Sequence, residues 1–251
     1  MGFDPFAHAA QLEGTIDQPL VVFFDDFIAG SGIENGGSAS ATADLGNWLA
    51  TLTGSTPTAV IADDEPGGVL HITTSASDND SAELQLNGES FKVAAGKDIT
   101  FVARLKFTAA AAPLTSIDWF MGLATTDTTV MDGVTEAIGF GSYESATPGL
   151  LNAGSANINF FCGNTMTDWT TVAAYTTGDS TVDYVDDTYV TLGFRVVSNT
   201  TVKFYVNGAF VGRSATNIPN GDAVTPTICI QNNAAAAKQM QVDYVYVSQV
   251  R

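Results

Sequence analysis

Residues 202–212 read "VKFYVNGAFVG", and this stretch decides the fold. Side chains alternate across an extended chain, so Val202, Phe204 and Val206 fall on one side and Lys203 and Tyr205 on the other. Asn207-Gly208 then supplies two residues that tolerate positive φ, as the type I′ turn of a two-residue hairpin requires. A second apolar run follows at once. The segment is predicted to be a β-hairpin with one buried face.

Similar period-two runs extend outward from the hairpin in both directions. "VVFFDDFI" opens the series, followed by "NWLATLT", "GVLHITTS" and "AELQLNG". In "DITFVARLKFT", Ile99, Phe101, Ala103, Leu105 and Phe107 share one face, and Thr100, Val102, Arg104 and Lys106 share the other. "IDWFMGLAT", "AIGFGSY", "INFFCG", "VAAYTTG", "YVTLGFRVVS", "VTPTICIQN" and "MQVDYVYVSQV" complete the pattern. Helical signals are confined to "AAAAP" at 109–113 and "AAAAK" at 234–238, both shorter than a stable helix needs. No linker or composition break divides residues 21–251, which are predicted to form one all-β domain. Residues 1–20 are polar and aperiodic and read as an extended N-terminal arm. Many short antiparallel strands without parallel crossovers close their core as two stacked sheets or as a barrel.

The order of "FFDDFI", "GVLHIT", "ITFVARLKF", "GFRVVSNTTVKFYVNGAFVG" and the closing "MQVDYVYV" resembles the concanavalin A-like, or laminin-G-like, jelly rolls. The resemblance implies a two-sheet antiparallel sandwich over residues 21–251. The phrases "FMGLATTDTTVMDG" and "NIPNGDAVTPTICIQNNAAAAKQMQVDYVYVSQ" resemble jelly-roll structural proteins of tailed bacteriophages. That second resemblance implies a virion location and the major capsid protein or other virion proteins as partners, with the chain oligomeric on the particle. The fold family holds glycoside hydrolases, lectins and structural modules, so fold alone does not choose among them.

Charge narrows the partners. The net charge is −18, and residues 1–91 hold fourteen Asp or Glu and no Lys or Arg. Nucleic acid and anionic membrane both favour a basic surface, so neither is expected to bind. The first twenty residues lack a basic and apolar leader pattern, and no run approaches the ~18 apolar residues of a membrane span. Cys162 and Cys229 lie in apolar strand-like runs, which favours free buried thiols and leaves one disulfide open.

Residue patterns that carry chemistry are scarce. Retaining glycosidases need two carboxyls about 5–5.5 Å apart facing one cleft, and the hydrolases of this fold place such groups alternately on one strand. Here Glu83, Asp118 and Asp243 each stand alone on their strands and read as solvent-facing or hairpin-stabilising carboxylates. His8 lies in the arm and His71 in a strand, without a nucleophile elbow near either. Acidic loops could hold calcium, with Asp78 and Asp80 as the first candidates, although Asp and Asn also form turns in their own right. For carbohydrate, Trp169 in a polar stretch and Tyr205 on the second sheet face are the candidate platforms, while Trp48 and Trp119 read as core. Phe3 and Phe6 in the arm suit docking against a neighbouring subunit. The expectation is therefore a non-enzymatic virion structural protein, with a lectin-like module binding a surface glycan as the alternative.

Overall fold

In the computed structural model, the structure describes residues 19–28, 41–62, 67–108, 117–143, 157–164, 175–233 and 236–251. Phe3, Phe6 and Trp169 lie outside them. The hairpin forms as its sequence dictates. Strand β13 (Thr201–Val206) turns through Asn207 and Gly208 into β14 (Ala209–Ser214), and both turn residues adopt positive φ, 50° and 77°. The Asn207 side chain fixes the turn further, accepting a hydrogen bond from Thr191 N at 2.9 Å.

Around the hairpin, the described residues form sixteen strands in two eight-stranded antiparallel sheets. Sheet I runs β14-β13-β12 (Val190–Val197)-β7 (Ile99–Thr108)-β16 (Gln239–Val250)-β5 (Leu70–Thr73)-β4 (Thr58–Ile61). The long β16 pairs its first half with β5 and its second half with β1 (Leu20–Asp25). Sheet II runs β11 (Tyr175–Asp183)-β10 (Asn157–Asn164)-β9 (Glu136–Ser142)-β8 (Ile117–Ala124)-β15 (Thr225–Asn232)-β6 (Ser81–Leu86)-β3 (Trp48–Thr53)-β2 (Ala41–Leu45). The architecture is the two-sheet jelly-roll sandwich expected from the alternation.

The core lies between the sheets. Ile99, Phe101, Ala103, Leu105 and Phe107 all turn inward from β7, as their spacing predicts. Phe204 of the hairpin stacks on Phe160 of sheet II at 4.5 Å and meets Phe140 edge-on at 5.6 Å. Gly212 makes room for that stack, since a Cβ there would sit 2.2 Å from the Phe160 ring. Trp48 and Trp119 are buried, and the Trp48 indole donates to Asp25 Oδ2 at 2.8 Å.

A second apolar cluster occupies the outer face of sheet II. Phe120, Phe161, Cys229, Tyr143, Ala124 and Ala137 project there and are covered by Val130, Met131 and Val134 of residues 125–135, which include a single helical turn. Gly122 and Gly139 face each other across β8 and β9, leaving space for the Phe120 ring over the sheet. Cys162 belongs to the core between the sheets and Cys229 to this outer cluster, so the two thiols lie on opposite faces of sheet II and form no disulfide with each other.

Candidate functional site

Strand β6 turns Ala82, Leu84 and Leu86 into the core and therefore presents Ser81, Glu83 and Gln85 on the outer face of sheet II. Residues 125–135 fold over these side chains and are tied to them by hydrogen bonds. Gln85 donates through Nε2 to Thr125 O and Thr227 Oγ1, both at 3.0 Å, and its Oε1 accepts from Asp127 N at 2.9 Å. Glu83 Oε2 accepts from Val130 N at 2.8 Å. Glu89, just beyond the strand, accepts from both the amide and the hydroxyl of Thr126 at 2.8 Å. At the far end, the Glu136 carboxylate accepts from Gly221 N at 2.9 Å and Asp222 N at 3.0 Å.

Glu83 is the unusual member. Burial pushes its carboxyl up from 4.5 to about 7, and the nearby Asp127 charge adds to the rise. Hydrogen bonds from Val130 N, Ser81 and Cys229 oppose the shift without cancelling it. A carboxyl poised near neutrality can both give and take a proton, the property sought in general acid–base groups.

Next to this network the surface opens into a hollow of about 440 Å³ lined by Leu49, Gln85, Leu86, Asn87, Gly88, Glu89 and Thr126. That volume falls within the roughly 300–1,000 Å³ of small-ligand sites. Leu49 lies on β3 directly opposite Gln85 and is 37% exposed, and Asn87 and Glu89 are exposed beside it. One exposed apolar side chain and several planar polar groups thus share one rim.

The residues singled out from sequence separate in space. Glu83 and Asp118 are not solvent-facing: they are 5% and 2% exposed beneath the outer face of sheet II. Position in an alternating strand shows which face a side chain takes, but not whether another segment covers that face. Asp243 sits at a bulge in β16 and forms an ion pair with Arg104. Asp80 is buried, accepting from Ser75 Oγ and from Ser55 N, whereas Asp78 is exposed in the adjoining turn. Among the described residues, no group of three acidic, His or Cys side chains is placed to hold a metal ion. Tyr205 lies on the outer face of sheet I, paired with Phe210 at 5.9 Å. The Gln85 and Glu83 ties to residues 125–135 had no signal in the sequence, because the partners stand 42 and 47 positions apart.

No protein-family model matches the chain, and no curated protein matches it in sequence. Solved structures match in fold. An endo-1,3-beta-glucanase from Streptomyces sioyaensis superposes with a TM-score of 0.60 at 13% identity, over 93% of this chain and 96% of that one. An endo-beta-1,4-glucuronan lyase from Trichoderma reesei gives 0.55 at 10% identity, over 90% and 94%. The Emp46p carbohydrate recognition domain gives 0.54 at 10% identity, over 88% and 98%. These likenesses establish the concanavalin A-like jelly roll, a fold whose solved members include glycan-binding domains, glycoside hydrolases and polysaccharide lyases; they do not bear on a virion role. They also overturn the expectation of a non-enzymatic protein, which rested on the missing carboxylate alternation, the lack of a nucleophile elbow and the phage resemblance, since the glucanase and the lyase are enzymes by name. A sandwich can bring carboxyls together from a strand and a covering loop, as Glu83 and Asp127 are, and alternation along a single strand does not register such an arrangement.

Proposed function

We propose that this protein engages a polysaccharide at the hollow beside β6 on the outer face of sheet II. The carrying observation is the rim itself. Asn87 and Glu89 offer planar donors and acceptors for sugar hydroxyls, and Leu49 offers an apolar patch for a ring face. Glu83, two residues along the same face from Gln85, lies under residues 125–135 rather than in the lining and anchors them beside the rim through Val130 N. The fold likeness to a glucanase and a carbohydrate recognition domain supports the same reading. Isothermal titration against a panel of neutral β-glucan oligosaccharides tests it. Saturable binding that weakens about tenfold in Asn87→Ala/Glu89→Ala, the scale of one or two lost hydrogen bonds, is the expected outcome. Binding unchanged in that variant, or no binding across the panel, refutes the site. Release of reducing ends or of unsaturated products from the same glycans reads turnover separately.

The finer expectation of attachment to a virion has one observation in its favour. Val22, Phe24 and Ile28 are 54%, 44% and 64% exposed, with Val22 and Phe24 on the outer face of β1. Co-sedimentation with particles that is lost on Val22→Ser/Phe24→Ser supports this role, and co-sedimentation unaffected by the change removes it.

A further inference from the structure

Charge is divided between the two sheets. The eight strands of sheet II contain no Lys or Arg. Those of sheet I carry Arg104, Lys106, Arg195, Lys203 and Arg213, five of the nine cations in a chain of net charge −18. Arg104, Lys106, Arg195 and Lys203 alternate with core residues, and Arg213 pairs with Lys203, so all five project from the outer face. Lys203 stands directly opposite Arg195 on one side and Arg213 on the other, forming a row of three cations across β12, β13 and β14. Asp98 balances Arg195 at 2.9 Å, whereas Lys203 and Arg213 are exposed and have no ion pair among the described residues. Like charges placed directly opposite one another destabilise a sheet, so this row costs stability in the absence of an anion. The neighbouring row is aromatic. Tyr205 meets Phe210 edge-on at 5.9 Å, Phe210 is 58% exposed, and the residue opposite Tyr205 on the other side is Gly193, which has no side chain.

We propose that Lys203, Arg213, Tyr205 and Phe210 form a binding surface for a polysaccharide that contains uronic acids. The surface is separate from the hollow beside β6, and the proposal does not depend on that site. Charge complementarity fixes the sign of the ligand. The Arg213 guanidinium matches a carboxylate with two parallel hydrogen bonds and Lys203 adds a point charge beside it. The aromatic pair supplies an apolar face for a sugar ring. One carboxylate per sugar suits two uncompensated cations beside an aromatic pair. A nucleic acid or an anionic bilayer is more densely charged and is held through several phosphate contacts, which Asp98, Asp187 and Asp243 on this same face oppose. The acidic remainder of the molecule is screened beyond about 10 Å at 0.1 M salt, so the local face governs contact.

Affinity electrophoresis of the full chain tests the proposal, with gels containing polygalacturonate, a neutral β-glucan or dextran sulfate. Parallel measurements use an oligodeoxythymidylate and vesicles containing an anionic phospholipid. Polygalacturonate is expected to retard the protein, less so as salt rises. Lys203→Glu/Arg213→Glu weakens that retardation about tenfold, the scale of one charge-assisted hydrogen bond. Tyr205→Ala/Phe210→Ala weakens it as well, and Asn87→Ala/Glu89→Ala leaves it intact, so the two sites fail on different variants. Near-ultraviolet circular dichroism confirms folding, and Lys203→Gln/Arg213→Gln replaces the charge reversal if that variant unfolds. The proposal is overturned by no retardation in polygalacturonate, or by retardation unchanged in the Lys203/Arg213 variants. Tighter binding to dextran sulfate, the oligonucleotide or the vesicles than to polygalacturonate overturns it equally.

Discussion

Replacing Glu83 by Gln removes one ionisable group from a covered face and leaves its shape in place. In the folded chain, burial holds the Glu83 carboxyl at about 7 rather than 4.5. The folded state therefore binds this proton more tightly than the unfolded state does. The stabilising contribution is fully present below pH 4.5 and is lost as pH rises through about 7. At about 1.4 kcal/mol per pH unit, the loss across that window amounts to about 3 kcal/mol. The substituted amide would keep an acceptor for Val130 N and a donor for Ser81 Oγ, two of the three partners of Glu83, at 2.8 Å and 3.4 Å. Glu83→Gln should match the natural chain in stability near pH 4.5 and exceed it by up to about 3 kcal/mol at pH 8. Urea unfolding at intervals between pH 4.5 and 8.5 measures this. The difference between the two proteins isolates Glu83, because every other titrating group is common to both. A difference that stays flat across the range would show that Glu83 titrates as an ordinary exposed carboxylate, and a difference that grows toward acid would reverse the sign of the reasoning.

Gly212→Ala should lower stability by about 1–3 kcal/mol, because the new Cβ would lie 2.2 Å from the Phe160 ring, which is itself pinned on Phe204. Thermal unfolding reads the loss, and an unchanged midpoint would show that the ring can step aside. Cys162 is buried and its thiol is pushed up to about 11 by burial. It should therefore react with a thiol reagent at neutral pH only as fast as the protein opens. Labelling of the folded chain at the rate of free cysteine contradicts that placement.

Much of the sandwich was legible locally, for a physical reason. A half-buried strand writes its pleat into the sequence with period two, and a tight hairpin demands residues that tolerate positive φ. Hence Val202, Phe204 and Val206 could be placed inward, the Asn207–Gly208 turn located, and the two faces of β7 separated before any tertiary contact was known. The jelly-roll resemblance extended this to two stacked sheets. What the chain could not declare is what covers each face. Glu83 reads as a lone carboxylate on β6, and only the folding of residues 125–135 across the outer face of sheet II buries it, brings Asp127 close and moves its proton affinity toward neutrality. The cation row is an intermediate case: Arg195, Lys203 and Arg213 lie on consecutive strands, one turn of which is legible in the sequence, but the bulge between Phe204 and Tyr205 sets the register that puts Lys203 opposite Arg213. Alternation is a property of neighbours in sequence and can be read there. Covering and the proton affinity of a buried acid depend on pairs tens of residues apart, so tertiary structure alone decides them.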